Sequence, residues 1–343
     1  MTKRERVIAA FSHRETDFIP YTAGFTEEEH RKVAAYLNDP DFSKKIANHI
    51  DGCYYSGFSE GLAHDVEGKP GYIADDFGVV WNRSGPDKDI GVIEGRVMPE
   101  PDMKYYPAPQ LDFKRLMKTW ETHINDGSGA FKEASIGFTM FERAWTIRGM
   151  ENLLSDMVIE PGFVHELMDT ICDFNIEIID EMLTLDIDGF HFGDDWGQQR
   201  GLIMGPEHWR IFIKPRMARM FGRAKKAGKF ISLHSCGDIS AVFGDLVEIG
   251  LDCYQTFQPE IYDIREVKRV YGRDLSFWGG MSTQRMLPFE TPEGVRQKCA
   301  EIMRVMKPGG GFVAAPTHAM PADIPPENVV AMLEVFENQD KYL

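Results

Sequence analysis

From about residue 130 onward, short apolar runs alternate with longer stretches whose apolar positions repeat at helical spacing. The runs 135–138, 189–192, 230–233, 253–257, 275–278 and 312–315 have the length and apolar character of buried strands. Between them the periodicity predicts helices over 164–185, 209–227, 241–249, 264–270, 295–306 and 329–336. Earlier in the chain, Val7, Ile8 and Phe11 predict a helix, and 18–21 is an extended run. Thr26 followed by Glu27, Glu28 and Glu29 predicts a capped helix start, because acids favour the positive N-terminal end of the helix dipole. A further apolar run covers 53–58. Residues 60–110 are rich in Gly, Pro and Asp and hold one clear strand, 78–81, so an excursion of loops and short strands is expected there.

Strands alternating with helices imply βαβ units and a parallel sheet. Six such strands plus the runs near Phe18 and Cys53 make eight, the number that closes a (β/α)8 TIM barrel. An open doubly wound sheet is the competing architecture. Against it, no Gly-x-Gly-x-x-Gly follows an early strand, and Pro308-Gly309-Gly310-Gly311 precedes a strand rather than opening a helix. One barrel domain over 1–343 is therefore expected.

Composition narrows the function classes. Hydrophobic residues make up 43% and charged residues 27%, which is ordinary usage for a chain with a sizeable core. The formal net charge of −16 repels phosphate backbones, so nucleic acid is not expected as a partner. That charge suits a separate protein partner with a positive docking surface. Five cysteines, an odd number without a dense framework, indicate a reducing compartment and mostly buried thiols. The charged N-terminus lacks the apolar segment of a signal peptide, and no apolar stretch approaches the roughly 20 residues of a membrane span. A cytoplasmic protein without membrane attachment is expected.

The chemistry gathers after the strands. Gly193-Asp194-Asp195-Trp196 follows the second of the six, His234-Ser235-Cys236-Gly237 the third, Gln258-Pro259-Glu260 the fourth and Pro316-Thr317-His318 the last. In a barrel these ends share one face, where active sites lie. Residues two apart on a strand point the same way, so His234 and Cys236 can converge on one ion, and zinc takes such N/S ligands. The competing reading is a buried cysteine beside a hydrogen-bonded histidine. Asp194 and Asp195 can orient a ligand or carry a proton, as can Glu260, or they can cap a helix start. Phe138, Phe141, Trp196, Tyr254 and Trp278 lie near the same rim and predict an apolar pocket for a flat substrate, with barrel core as the alternative.

These residues carry a resemblance. The chain resembles the uroporphyrinogen decarboxylase superfamily and, within it, the corrinoid-linked methyltransferases. The likeness rests on Asp75-Asp76-Phe77-Gly78-Val79-Val80-Trp81, on Phe141-Glu142-Arg143-Ala144 with Arg148-Gly149, and on Asp194-Asp195-Trp196-Gly197 with Pro206-Glu207 and Ile213-Lys214-Pro215. The segments His234-Ser235-Cys236-Gly237-Asp238 and Pro325-Pro326-Glu327-Asn328-Val329 complete it. The resemblance implies a distorted TIM barrel and two competing activities. The decarboxylases use no cofactor and hold a tetrapyrrole's carboxylates with an arginine-rich N-terminal loop. The equivalent stretch here, 19–25, has no arginine, which leaves a polycarboxylate poorly matched.

The methyltransferase branch implies zinc on His-x-Cys plus a late cysteine, where this chain has His318. The implied ligand set is then His234, Cys236 and His318, with Asp194, Asp195 or Glu260 as a fourth ligand or base. Imidazole in place of a thiolate leaves a stronger Lewis acid, suited to a methyl–oxygen or methyl–nitrogen bond. The implied partners are a small methylated substrate, with an aromatic methyl ether preferred, and a corrinoid (cobalamin) on a separate protein, since the chain lacks Asp-x-His-x-x-Gly. A homodimer is compatible with this. A barrel that binds a small molecule or tetrapyrrole without turnover is the third reading.

Overall fold

The computed structural model describes residues 1–59, 62–85 and 91–343. Thirteen strands occur among them, seven of which form one parallel sheet. In chain order they are β1 (Ile50–Tyr55), β2 (His64–Asp65), β3 (Tyr72–Ala74), β4 (Val80–Asn82), β5 (Val92–Glu94), β6 (Phe131–Ile136) and β7 (Gly189–Gly193). The rest are β8 (Gly197–Gln198), β9 (Gly201–Leu202), β10 (Phe230–His234), β11 (Cys253–Phe257), β12 (Ser276–Met281) and β13 (Phe312–Pro316). The parallel sheet runs β1-β6-β7-β10-β11-β12-β13.

The sheet curls. Its outer face carries Phe190, Phe192, Ile231, Leu233, Tyr254 and Phe277, all sealed from solvent. Phe192 meets Phe221 of the helix Lys214–Lys226 at 5.1 Å, and Tyr254 meets Phe243 of the helix Phe243–Glu248 at 5.0 Å. The inner face carries His191, Ser232, His234, Gln255 and Trp278, because side chains alternate along a strand and the register aligns these positions across neighbours. His191 on β7 reaches Trp278 on β12 at 5.6 Å, although three strand spacings separate them along the sheet. At the other end, the helix Lys3–Phe11 closes the base, with Phe11 edge-on to Phe131 and Phe230.

The expected eighth strand is corrected. The segment around Tyr21 makes a single bridge to Ala314: Ala314 N–H donates to Pro20 O, and Thr22 N–H donates to Ala314 O. Tyr21 O accepts from His49 N–H, one residue before β1. The segment thus lies between β13 and β1 without forming a ladder. Pro20 has no N–H to extend one.

The helices match expectation within a few residues: Lys3–Phe11, Pro161–Met182, Phe243–Glu248, Ile264–Tyr271, Pro292–Met306 and Pro326–Glu337. The expected helix over 209–227 opens with a π-turn, Trp209–Ile213, before Lys214–Lys226. Thr26 caps the helix Glu27–Leu37 by accepting Glu29 N–H. The excursion is a four-stranded antiparallel sheet, β2-β3-β4-β5, and the strand expected at 78–81 begins two residues later, as β4. Asp75 ties this region down by accepting Phe77 and Val79 N–H, Trp81 Nε1 and the Arg143 guanidinium at 2.8 Å. Breaking such a buried pair by removing one partner costs about 3–5 kcal/mol. No described helix is long and apolar enough to cross a membrane.

One position limits how closely β1 and β6 approach. A Cβ on Gly52 would lie 1.7 Å from the Glu133 carbonyl oxygen. Gly52→Ala is therefore expected to destabilise the protein by about 3 kcal/mol or to prevent folding, read by urea denaturation, and an unchanged midpoint would contradict this packing.

Candidate metal centre

The loops after β7 and β10 press together where neither has a side chain. A Cβ on Gly237 (φ +78°) would lie 2.2 Å from Gly197 C, and one on Gly197 would lie 2.5 Å from Cys236 O. Gly197 N–H donates to Cys236 O (3.2 Å), Asp194 N–H to His234 O (3.0 Å), and Trp196 N–H to Ser235 Oγ (3.0 Å). This zipper brings Asp195 against the His-x-Cys pair. Cys236 N–H donates to Asp195 Oδ1 at 2.7 Å, Asp195 Oδ1 lies 3.5 Å from His234 Nε2, and Cys236 Sγ lies 3.5 Å from the same nitrogen.

Asp195, His234 and Cys236 each offer one ligand atom, and these atoms lie within 4.8 Å of one another. His234 Nδ1 is hydrogen-bonded to Gln255 Oε1. Because that oxygen only accepts, Nδ1 carries the proton and Nε2 presents a lone pair to the cluster. Burial, with the Asp195 and Glu142 carboxylates, pushes the Cys236 thiol up. Burial and the charges of Asp195 and Asp194 push the Glu142 carboxyl well up. Three groups that would each be anionic thus crowd one imidazole. A divalent cation relieves that crowding, and one sulfur, one nitrogen and one oxygen form a donor set that zinc accepts.

The other expected site residues divide. His318 is exposed two residues past β13, its ring 5.9 Å from that of His234, and it stands outside the described three-residue group. Beside the expected pair His234 and Cys236, the third ligand-competent group within that distance is Asp195. Asp194 is fully buried, and its carboxylate accepts from Met140, Phe141 and Glu142 N–H (3.1, 2.9 and 2.9 Å) and from Trp196 Nε1. It caps the helix Phe141–Arg148 from a distant strand, so its expected catalytic place is corrected to that of an anchor. Burial pushes its carboxyl up to about 6, against the pull of these donors. Glu260 lines a separate groove of about 380 Å³ with Arg285, Glu290 and Lys298.

Of the five aromatics, Phe141, Trp196 and Tyr254 are sealed in the core, which corrects their expected place in a pocket. Tyr254 alternates with the inward Gln255 and so faces the helices, where its hydroxyl donates to Ser235 O at 2.8 Å. Phe138 and Trp278 are half-buried. Phe138 stands beside Trp81 and Phe58, and Trp278 donates its indole N–H to Thr22 Oγ1 at 2.9 Å. The sequence reading passed over Glu142, Gln255, His191 and Ser232 as site residues. Two of them carry a visible signal, a polar residue alternating with apolar ones, in Phe190-His191-Phe192 and Ile231-Ser232-Leu233. Four of the five cysteines are buried, and Cys236 is the exception.

Comparison with known proteins adds to this geometry. Residues 138–339 match the family model described as uroporphyrinogen decarboxylase (URO-D). A stretch of 163 residues, 47% of the chain, is 28% identical to the methylated-thiol–coenzyme M methyltransferase of Methanosarcina mazei, and it spans 42% of that relative's length. The solved structure of a methyltransferase from Methanosarcina mazei has the same fold, with TM-score 0.71 over 99% of both chains at 16% identity.

The Asp194 clamp yields a direct expectation. Asp194→Asn places an amide N–H among N–H donors, and losing charge-assisted bonds costs about 2–4 kcal/mol. Chemical denaturation reads the loss, and a change below about 0.5 kcal/mol would show that the carboxylate is not an anchor.

Proposed function

The chain belongs to the uroporphyrinogen decarboxylase family, and on that premise we propose that it is a zinc methyltransferase. It takes the methyl group of a small methylated substrate, an aromatic methyl ether by preference, and delivers it to a corrinoid on a separate protein. The observation that carries this reading is the Asp195, His234 and Cys236 cluster at the strand ends, with Glu142 beside it. A carboxylate oxygen in place of a second thiolate makes a harder, less electron-rich site, which suits an ether oxygen better than a thiol. Bound by these three residues, zinc would supply Lewis acidity toward the substrate heteroatom.

The residues of the chain have separate tasks in this scheme. Gln255 holds the His234 tautomer, and Cys236 N–H orients Asp195. Trp278 and Phe138 offer partly exposed ring faces for an aromatic substrate. The decarboxylase alternative is disfavoured because 19–25 brings no guanidinium, and Tyr21 and Ala23 within it are buried. All of residues 1–343 are proposed to act as one barrel-like unit.

Metal analysis tests the ligand set. About one zinc per chain is expected, lost in Cys236→Ala and Asp195→Ala and retained in His318→Ala. Retention in all three would overturn it. Activity is read from the visible spectrum of cob(I)alamin mixed with protein and a panel of methoxybenzoates, methylamines and methyl thioethers. Methylation is expected with the methoxybenzoates, and the absence of methylation across the panel would sink the methyltransferase reading. Turnover of uroporphyrinogen by metal-free protein would replace it with decarboxylation.

A further inference from the structure

Inside the curled sheet, below the metal cluster, three polar side chains from three adjacent strands form a chain. Ser232 Oγ on β10 lies 2.8 Å from Glu133 Oε1 on β6 and 2.7 Å from His191 Nδ1 on β7. Glu133 and Ser232 are sealed, whereas His191 is only partly buried. Its Nε2 is the ring nitrogen not engaged by Ser232, and it has no hydrogen-bond partner among the described residues. Among the described residues no cation pairs with Glu133 either. Its neighbour Lys132 is turned the other way, onto Asp126.

The hydrogen-bond chemistry of this chain allows two states. Ser232 has one hydroxyl hydrogen and two neighbours. With Glu133 protonated, the carboxyl donates to Ser232 and Ser232 donates to His191 Nδ1, so the imidazole carries its hydrogen on Nε2. With Glu133 ionised, Ser232 donates to the carboxylate and His191 Nδ1–H donates to Ser232. Passing from the first state to the second releases one proton at Nε2.

We propose that Glu133, Ser232 and His191 are a proton store and relay that protonates the substrate heteroatom as its methyl group leaves. This rests on the methyl-transfer reading above. When the carbon–oxygen bond breaks toward the corrinoid, the bonding pair stays on oxygen. The oxygen takes the Nε2 proton, Nδ1 takes that of Ser232, and Ser232 takes that of Glu133. The products are a neutral hydroxyl compound, a neutral histidine and a Glu133 carboxylate. Water recharges Glu133 by the reverse path once the product has gone. His191 is the group that meets substrate, and Glu133 acts through it.

The electrostatics agree. Burial pushes the Glu133 carboxyl up to about 7, opposed by the Ser232 hydrogen bond and aided by Asp188. Burial, then His234, pushes His191 down to about 3, so it stays neutral. Besides His191, the titratable groups facing Glu133 are Asp188 and Cys253, and burial with the Glu133 charge raises the Cys253 thiol. Below about pH 7 a proton is thus held on carboxyl, not imidazole.

Two measurements test the relay. In full-length protein labelled with ¹⁵N-histidine, His191 should be the Nε2–H tautomer at pH 5.5 and the Nδ1–H tautomer at pH 8.5. The switch should be absent in Glu133→Gln and Ser232→Ala. One unchanging tautomer across that range in the wild type would overturn the relay whether or not the protein transfers methyl groups. In single turnover with cob(I)alamin and a methoxybenzoate, Glu133→Gln should slow the reaction about 100-fold at unchanged KM and zinc content. With a nitro-substituted methyl ether, whose oxygen needs no proton to leave, the loss should shrink to less than about 5-fold. Equal losses on both substrates, or none, would overturn the relay. Wild type that methylates no cob(I)alamin with any substrate would instead overturn the methyltransferase reading, leaving the tautomer result to decide the relay.

Discussion

A single buried carboxylate sets the geometry of the site. Asp194 ends β7 and accepts the three free amides at the start of the helix Phe141–Arg148, together with the Trp196 indole. Its own amide is bonded to His234 O on β10. A buried anion is tolerated only where donors surround it, and a helix N-terminus supplies both donors and a favourable dipole. The clamp therefore fixes β6, β7 and β10 relative to one another. Asp195 is the next residue along the chain and so emerges on the other side, toward Cys236. Glu142 supplies one of the three clamping amides, which holds its carboxyl near Asp195. Both acidic groups beside the His-x-Cys pair are placed by the residue that does not itself face the site.

Much of this was legible in the sequence, because hydrophobic periodicity is a local property. The parallel sheet, most helices, the Thr26 cap and the convergence of His234 with Cys236 all follow from spacing and alternation. The eighth strand was not legible: an apolar run such as Phe18-Ile19-Pro20-Tyr21 has strand composition, yet its pairing depends on a missing N–H. The double aspartate was read as a pair, although strand geometry separates the two, one facing the core and one the site. The aromatic rim was overcounted for the same reason. Tyr254 and Gln255 are adjacent, so only one of them faces the interior, and the register with His234 selects Gln255.

His318 shows a different limit. A residue at a strand end can be assigned to the correct face of a sheet from sequence, but the distance to an ion depends on the loop that carries it. Thr317 is held by Thr283 Oγ1 at 3.0 Å, and the following histidine stands at the exposed rim. Asp195, by contrast, is pulled inward by the Gly197 and Gly237 contact, which depends on two residues far apart in sequence. Close backbone approach is written into the glycines, but the partner of each glycine is not.

The interior of the sheet also separates two charges that would otherwise interfere. On the proposed reading, a divalent cation at Asp195, His234 and Cys236 would lower the pKa of any carboxyl beside it and discharge a proton held there before the substrate needed it. Glu142 stands in that position and is therefore unsuited to store a proton once the metal is bound. Glu133 lies deeper, on β6, and reaches the mouth only through a hydroxyl and an imidazole. Distance and burial keep its proton, and the two intervening groups carry it without either becoming charged. On that reading the polar inner face of an otherwise apolar sheet has a physical reason: it would let the cation and the proton act on one bond from separate sites.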